Sequence, residues 1–234
     1  MNISVYKFDP NVDIEPHYIE GEVPYKAQMT ALEALQYFHR NIAPVHYDYS
    51  CGCRLCGRCA MMLNGQPCMI CTMPIANIDY TFEPLKGYPV IRDLIVDKSS
   101  ADAKLSRIYN RVRIEPYTEE TYNDPKEFDF EHKGDLYAME FCARCGACSA
   151  GCPSKSENIT GYAGPMEMLA IAYRHLDPLD QGDRLMEAVS AGLFHCIECG
   201  TCEAVCAQQD IRHVDIHRLL KKRATDRGIA PSYA

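Results

Sequence analysis

The chain has 234 residues, 47% of them apolar, and a formal net charge of −8. That is room for one or two domains with ordinary cores, and the acidic balance argues against nucleic acid or an anionic membrane surface as a partner. No apolar run reaches the roughly 18–20 residues of a membrane span, and Met1 to Lys7 does not open with a charged segment followed by an apolar one, so no signal peptide is expected. The expected location is the cytoplasm, with any membrane contact peripheral and made through a partner.

Residues 1–100 read as a small α+β unit. Ile3 to Phe8 and His17 to Tyr25 are expected strands, separated by the Asp9-Pro10-Asn11 turn. Thr30-Ala31-Leu32-Glu33 carries the capping-box pattern, with Leu35 and Phe38 behind it at helical spacing and Pro44 limiting the helix. Ala60 to Leu63, Asn64-Gly65 and Gln66 to Cys71 form a hairpin pattern around an Asn-Gly turn, and Tyr80 to Leu85 alternates as a last strand. Two strands, a helix, a hairpin and a final strand fit a β-grasp arrangement. Residues 101–133 are charged, contain Pro116 and Pro125, and read as a connector with some helix. Residues 134–234 read as helical. Gly164-Pro165 starts a helix over Met166 to Leu176, Asp183 to Leu193 forms another, and Val214 to Arg227 a third, with Ile216, Leu219 and Leu220 on one face and Gly228 as its stop.

Fourteen cysteines are concentrated in three groups, at residues 51–71, 142–152 and 196–206. Spacings of two and three residues are too tight for a disulfide framework but suit thiolates converging on a metal centre. Cys51-x4-Cys56-x2-Cys59 followed by Cys71 is the plant-type [2Fe–2S] spacing. Cys68 is an alternative to Cys71 as the fourth ligand, while Cys53 and Cys68 otherwise read as small, semi-buried thiols. Cys142, Cys145, Cys148 and Cys152-Pro153 form the bacterial C-x2-C-x2-C-x3-C-P run, and Cys196, Cys199, Cys202 and Cys206 repeat its spacing. Two such runs imply two cubanes with crossed ligation, the first three cysteines of each run binding one cluster and the fourth binding the other. One [4Fe–4S] set is then Cys142, Cys145, Cys148 and Cys206, and the other is Cys196, Cys199, Cys202 and Cys152. Two zinc sites would need only C-x2-C pairs and leave the four-cysteine runs unexplained. The fold class is therefore α+β: an N-terminal β-grasp plant-type ferredoxin domain, then an α-helical bacterial-type two-cubane ferredoxin domain. Three clusters in series make a wire, since such centres move single electrons.

These residues resemble the iron–sulfur subunit of succinate dehydrogenases and fumarate reductases over nearly the whole chain. The carriers are Ser50-Cys51 through Cys71 with Thr72-Met73-Pro74-Ile75, the Gly87-Tyr88-Pro89-Val90-Ile91-Arg92-Asp93-Leu94-Ile95-Val96-Asp97 segment, and Gly164-Pro165 with Ala172-Tyr173-Arg174. The resemblance implies a partner flavoprotein with FAD at a dicarboxylate site, so that the dicarboxylate chemistry lies outside this chain. It also implies a third subunit, usually a membrane anchor serving quinone. Three departures stand out. The family usually has a non-cysteine at the position of Cys199 and a [3Fe–4S] third cluster, whereas Cys199 implies [4Fe–4S]. The family's Trp beyond the Cys-Pro is replaced by Ser154-Lys155-Ser156-Glu157 in a chain with no Trp, and Ile197 stands where a His commonly follows the first cysteine of the last run. These features are similar to the atypical branch that includes thiol:fumarate and methylmenaquinol:fumarate reductases, whose third subunit is a cysteine-rich, heterodisulfide-reductase-like protein. The alternative from another class is a stand-alone polyferredoxin or heterodisulfide-reductase-type electron adaptor.

Other polar residues read more simply. His213 and His217, four apart, suggest a solvated or interface face, and His195 a partly exposed helix end. Lys221-Lys222-Arg223 reads as an exposed helix end, and the methionines near the clusters (Met61, Met62, Met69, Met73) as core filler.

Overall fold

Ile3 and Val5 are fully buried and Ser4 is not, the alternation that a strand covered on one face requires. They belong to β1 (Asn2–Lys7) in the computed structural model, which describes residues 1–116, 118, 119, 129–156, 161–229 and 231. Pro125 and Glu157 lie outside the described residues. With β2 (His17–Glu22), β3 (Ala60–Leu63), β4 (Gln66–Met69) and β5 (Tyr80–Glu83), β1 forms a mixed sheet of order β2-β1-β5-β3-β4. The β1–β5 pair is parallel and the others antiparallel. Asn64 and Gly65 join β3 to β4 with φ of 48° and 74°, as a two-residue turn matched to the twist of a hairpin requires.

Helix α1 (Ala31–Asn41) packs Ala31, Leu32, Ala34, Leu35 and Phe38 into the same core. Burying a side chain the size of Leu35 or Phe38 contributes roughly 1.5–3 kcal/mol. Its capping box is present: the Glu33 N–H donates to the Thr30 hydroxyl (3.2 Å) and the Thr30 N–H to the Glu33 carboxylate (2.7 Å). After β5 the chain forms two very short strands, β6 (Val90–Arg92) and β7 (Ile95–Val96), which the sequence pattern does not announce. Residues 1–98, 143–151 and 205–207 make up one compact unit, and residues 99–142, 152–204 and 208–234 a second.

In the second unit, α2 (Ser99–Tyr109) begins just before residues 101–133, the stretch read as a connector, and runs into it. Lys133–Glu140 forms α3, Ala147–Ala150 (in the first unit) the single turn α4, and Pro153–Ser156 the single turn α5. Helix α6 (Pro165–His175) starts from Gly164 with Pro165 at its first position, and Met166 to Ala172 are all buried. It is the central helix of the unit, packed by α2, α3, α7 (Arg184–Ser190) and α9 (His213–Asp226). The single turn α8 (Thr201–Ala204) precedes α9. The helix expected over Asp183 to Leu193 stops at Ser190, and Leu193 to His195 form a 3-10 turn; Gly192, left-handed at φ 83°, breaks the helix, and a Cβ there would lie 2.3 Å from the Gly161 carbonyl oxygen. Buried Arg184 grips Asp180 through two bonds (3.0 and 2.7 Å) and the Asn110 carbonyl (2.7 Å), fastening the chain beyond α2 to α7.

Candidate metal centres

The first cysteine loop is built around a sulfur. Gly52, Arg54 and Gly57 all adopt positive φ, which coils the loop and turns its amides inward. The N–H groups of Cys53, Leu55 and Cys56 point at Cys51 Sγ from 3.4, 3.3 and 3.4 Å. Those amides, with Cys53's the largest contributor, pull the Cys51 thiol down to about 6, the behaviour of a site made for a thiolate. Cys59 and Cys71 are buried side by side, brought together by the Ile70 N–H donating to the Cys59 carbonyl (3.3 Å). Burial raises Cys59 to about 12 as a free thiol; binding a metal releases that proton. Cys51 and Cys56 are exposed while Cys59 and Cys71 belong to the core, so the set straddles the surface.

The two surplus cysteines do not share the expected semi-buried state. Cys53 is exposed and Cys68 is 5% exposed within the core. Cys68 lies on β4, paired with Met61, and burial raises it to about 12. Of the alternatives for a fourth ligand, Cys71 is the one beside Cys59. Met61, Met62 and Met69 are core residues, while Met73 is 36% exposed.

The two later runs share one backbone conformation. Arg144 and Gly146 have φ of 51° and 87°, and Glu198 and Gly200 have 58° and 79°. In each run the residue before the second cysteine and the glycine after it are left-handed, and a one-turn helix follows, α4 or α8. A left-handed non-glycine costs roughly 1–2 kcal/mol, so its recurrence at equivalent positions marks a required loop shape. Cys142 closes the turn after α3, its N–H donating to the Met139 carbonyl (3.1 Å). Cys145, Cys148 and Cys206 fall in the segments that belong to the first unit.

Cys152, Cys196, Cys199 and Cys202 line one small cavity in the second unit, together with Tyr162 and His217. Burial raises Cys152, and raises Cys202 to about 12. Exposed Cys199 is lowered by the Thr201 hydroxyl, 3.3 Å away, and the Thr201 amide. Helix α9 holds the loop: Lys221 Nζ donates to the Cys196 carbonyl (2.6 Å) and to Glu198 (2.8 Å), and Arg218 pairs with the same carboxylate (2.8 Å). Glu203 in turn accepts the Val214 N–H at the start of α9 (3.2 Å).

The histidine pair departs from the expectation of a solvated or interface face. His213 and His217 are 1% and 0% exposed, and burial lowers both. His217 Nδ1 donates to the His213 carbonyl (2.6 Å), which leaves Nε2 to accept the Tyr162 hydroxyl (3.1 Å). The Lys221-Lys222-Arg223 stretch is likewise not a simple exposed end: only Lys222 is exposed, while Lys221 holds the cysteine loop and Arg223 bonds His175 and Asp129. His195, at the end of the 3-10 turn, is partly buried.

The first loop has a second anchor that spacing does not reveal. Asp93, between β6 and β7, is 0% exposed at φ 48°. Its carboxylate accepts Lys7 Nζ (2.9 Å), the Phe8 N–H (3.0 Å), and the N–H and ring Nδ1 of His46 (both 2.8 Å). Burial alone would raise this acid, but the His46 amide and the other donors outweigh it and hold Asp93 below the usual carboxylate range. It ties the end of β1 to the segment leading into Cys51.

Among the described residues no three His, Cys, Asp or Glu side chains meet around a single ion. Thiolate sets with inward amides and little else fit iron–sulfur clusters, which are wider than one ion. Comparison with known proteins agrees. Residues 2–103 match the model of a 2Fe-2S iron–sulfur cluster binding domain, and residues 138–209 that of a 4Fe-4S dicluster domain. The chain is 31% identical over 240 residues to a subunit of the fumarate reductase (CoM/CoB) of Methanothermobacter marburgensis, covering 99% of this chain but only 46% of that relative's length. It is 31% identical to the fumarate reductase iron–sulfur subunit of Haemophilus influenzae, covering 92% of this chain and 88% of the relative. A chain of the Mycobacterium smegmatis Sdh1 complex in the apo form superposes with a TM-score of 0.81 at 25% identity, over 99% of this chain and 98% of that one.

Proposed function

The chain belongs to the family of fumarate reductase and succinate dehydrogenase iron–sulfur subunits, and from that membership we propose that it relays single electrons between an FAD flavoprotein and a quinone- or thiol/heterodisulfide-linked partner. In the proposed arrangement Cys51, Cys56, Cys59 and Cys71 hold a [2Fe–2S] cluster within residues 1–100. Residues 101–133 connect this domain to residues 134–234, where Cys142, Cys145, Cys148 and Cys206 hold one [4Fe–4S] cluster and Cys196, Cys199, Cys202 and Cys152 the other. The clusters supply one-electron chemistry when bound. The chain's own residues hold thiolates, direct amides at them and bury part of each set. Fumarate or a related enoate would be handled by the flavoprotein.

The observation that carries this reading is the cavity lined by Cys152 with Cys196, Cys199 and Cys202. A fourth cysteine beside the first three of the other run is what crossed cubane ligation needs. Cys199 in that cavity supports a four-iron third cluster. With no Trp in the chain and Ile197 after Cys196, the usual quinone contacts are missing, which favours a cysteine-rich third subunit over a classical membrane anchor. No described helix is long and apolar enough to cross a membrane.

The test is anaerobic purification together with the co-encoded subunits. Iron and acid-labile sulfide of at least about ten equivalents each, this chain's share, with flavin in the complex, are expected. Zinc in place of iron, or a complex without flavin, would overturn the reading. An oxidised-state [3Fe–4S] signal in intact, anaerobically prepared protein would overturn the role of Cys199.

A further inference from the structure

Within the first unit, the loop between Cys56 and Cys59 meets the loop carrying Cys145 backbone to backbone. Gly57 makes this possible. At its φ of +69° a Cβ would lie 2.3 Å from the Ala143 carbonyl oxygen and 3.0 Å from the Cys145 α-carbon, so any side chain would force the loops apart. One ammonium spans the contact: Lys98 Nζ donates to the Gly57 carbonyl (3.2 Å) and to the Cys145 carbonyl (2.9 Å). Close by in sequence, Arg54 Nη1 reaches the carbonyl of Ala207, the residue after Cys206 (3.2 Å). Lys98 is half-buried, where screening is weaker than in bulk water. Both of these acceptors are neutral backbone carbonyls.

We propose that Lys98 is a positioning residue shared by two clusters: it fixes the [2Fe–2S] loop against the Cys145 loop, and its charge favours the reduced state of both centres. The inference rests on the ligand sets proposed above. Each centre gains one negative charge on reduction, and a nearby cation stabilises that form more than the oxidised one. The same residue thereby favours electron entry at both centres and holds the contact between their loops.

The test is an EPR-monitored redox titration of the anaerobically purified complex, comparing the unaltered protein with Lys98→Met, Lys98→Gln and Lys98→Arg. Lys98→Met and Lys98→Gln should each shift the reduction equilibrium of the [2Fe–2S] centre and of the Cys145-bound [4Fe–4S] centre about tenfold toward the oxidised form, which is 59 mV for one electron. Lys98→Arg, which keeps the charge, should titrate close to the unaltered protein. Magnetic interaction between the two reduced centres should weaken in the neutral variants, reporting the loosened contact. Loss of a cluster from both neutral variants with retention in Lys98→Arg also supports the clamp. Unshifted potentials with undiminished magnetic interaction in Lys98→Met and Lys98→Gln would overturn the inference while leaving the cluster assignment intact. An unaltered protein lacking both signals would instead overturn the assignment, and the role of Lys98 with it.

Discussion

Asp93→Ala offers the sharpest test of how the first cysteine loop is held. The carboxylate is 0% exposed and accepts four hydrogen bonds, from Lys7, Phe8 and, twice, His46. Deleting it leaves the partly buried Lys7 ammonium its contact with the neutral Pro44 carbonyl (3.1 Å) but no counter-charge there, and takes this acceptor from an imidazole and two backbone amides. Removing one partner of a buried ion pair costs about 3–5 kcal/mol. At roughly 2–4 °C per kcal/mol for a chain of this size, the thermal midpoint should fall by roughly 6–20 °C. The assay is loss of visible cluster absorbance and far-ultraviolet ellipticity in parallel, at one fixed scan rate because such unfolding is kinetically controlled. Absorbance loss should run ahead of ellipticity loss, since His46 leads directly into the Cys51 loop. The pH sign follows from the depressed acid. Its contribution is complete above the unfolded carboxylate value, about 3.9, and is lost as pH falls through the lower folded value. Asp93→Ala should therefore be destabilised at neutral pH and lose less than the unaltered protein on acidification. A midpoint within about 3 °C of the unaltered protein, at roughly 1 kcal/mol, would refute the anchor.

Cys199→Ala should convert the third centre to [3Fe–4S], seen as a new EPR signal in the oxidised protein; retention of a reduced [4Fe–4S] spectrum at that centre would count against Cys199 as a ligand. Tyr162→Phe removes the hydroxyl donated to buried His217 Nε2 (3.1 Å), an unmet acceptor worth about 1–3 kcal/mol; an unchanged thermal midpoint would show that this bond does not matter. His175 accepts from Arg223 (2.9 Å) and is lowered to about 4, chiefly by burial and then by the Arg223 charge. A histidine lowered on folding contributes fully above its unfolded value, near 6.5, and loses that contribution as pH falls toward 4. His175→Gln, which cannot titrate, should flatten part of the stability loss between pH 6.5 and 4, and an unchanged slope would refute it.

Much of the architecture was legible because it depends on local pattern. The alternation in β1, the capping box of α1, the Asn64-Gly65 turn and the proline start of α6 are each specified by a few neighbouring residues. Cysteine spacing identified the three groups because loop geometry around a sulfur is also local. What stayed hidden depends on partners distant in sequence. Asp93 bonds residues on β1 and before Cys51, and no spacing marks such a hub. Lys98 bonds the Gly57 and Cys145 carbonyls, 41 and 47 residues away in sequence, and no local pattern marks it. His213 and His217 were misread because two polar residues four apart usually face solvent on an amphipathic helix. Here the Tyr162 hydroxyl satisfies His217 and admits it to the interior. Strands β6 and β7 are too short to carry a periodic signal.

The cavity that unites Cys152 with Cys196, Cys199 and Cys202 bears on how the molecule is made. With the proposed ligands, the chain must emerge past residue 202 before Cys152 can share its cluster, so that centre is completed late in synthesis. Once formed it acts as a cross-link closing a segment of about 44 residues. By the loop-entropy relation for cross-links, that constraint removes roughly 4 kcal/mol of freedom from the unfolded chain. Losing this one proposed cluster would then release the constraint on the segment that carries α6 and α7, so that damage at the metal centre would also loosen the helices packed between its ligands.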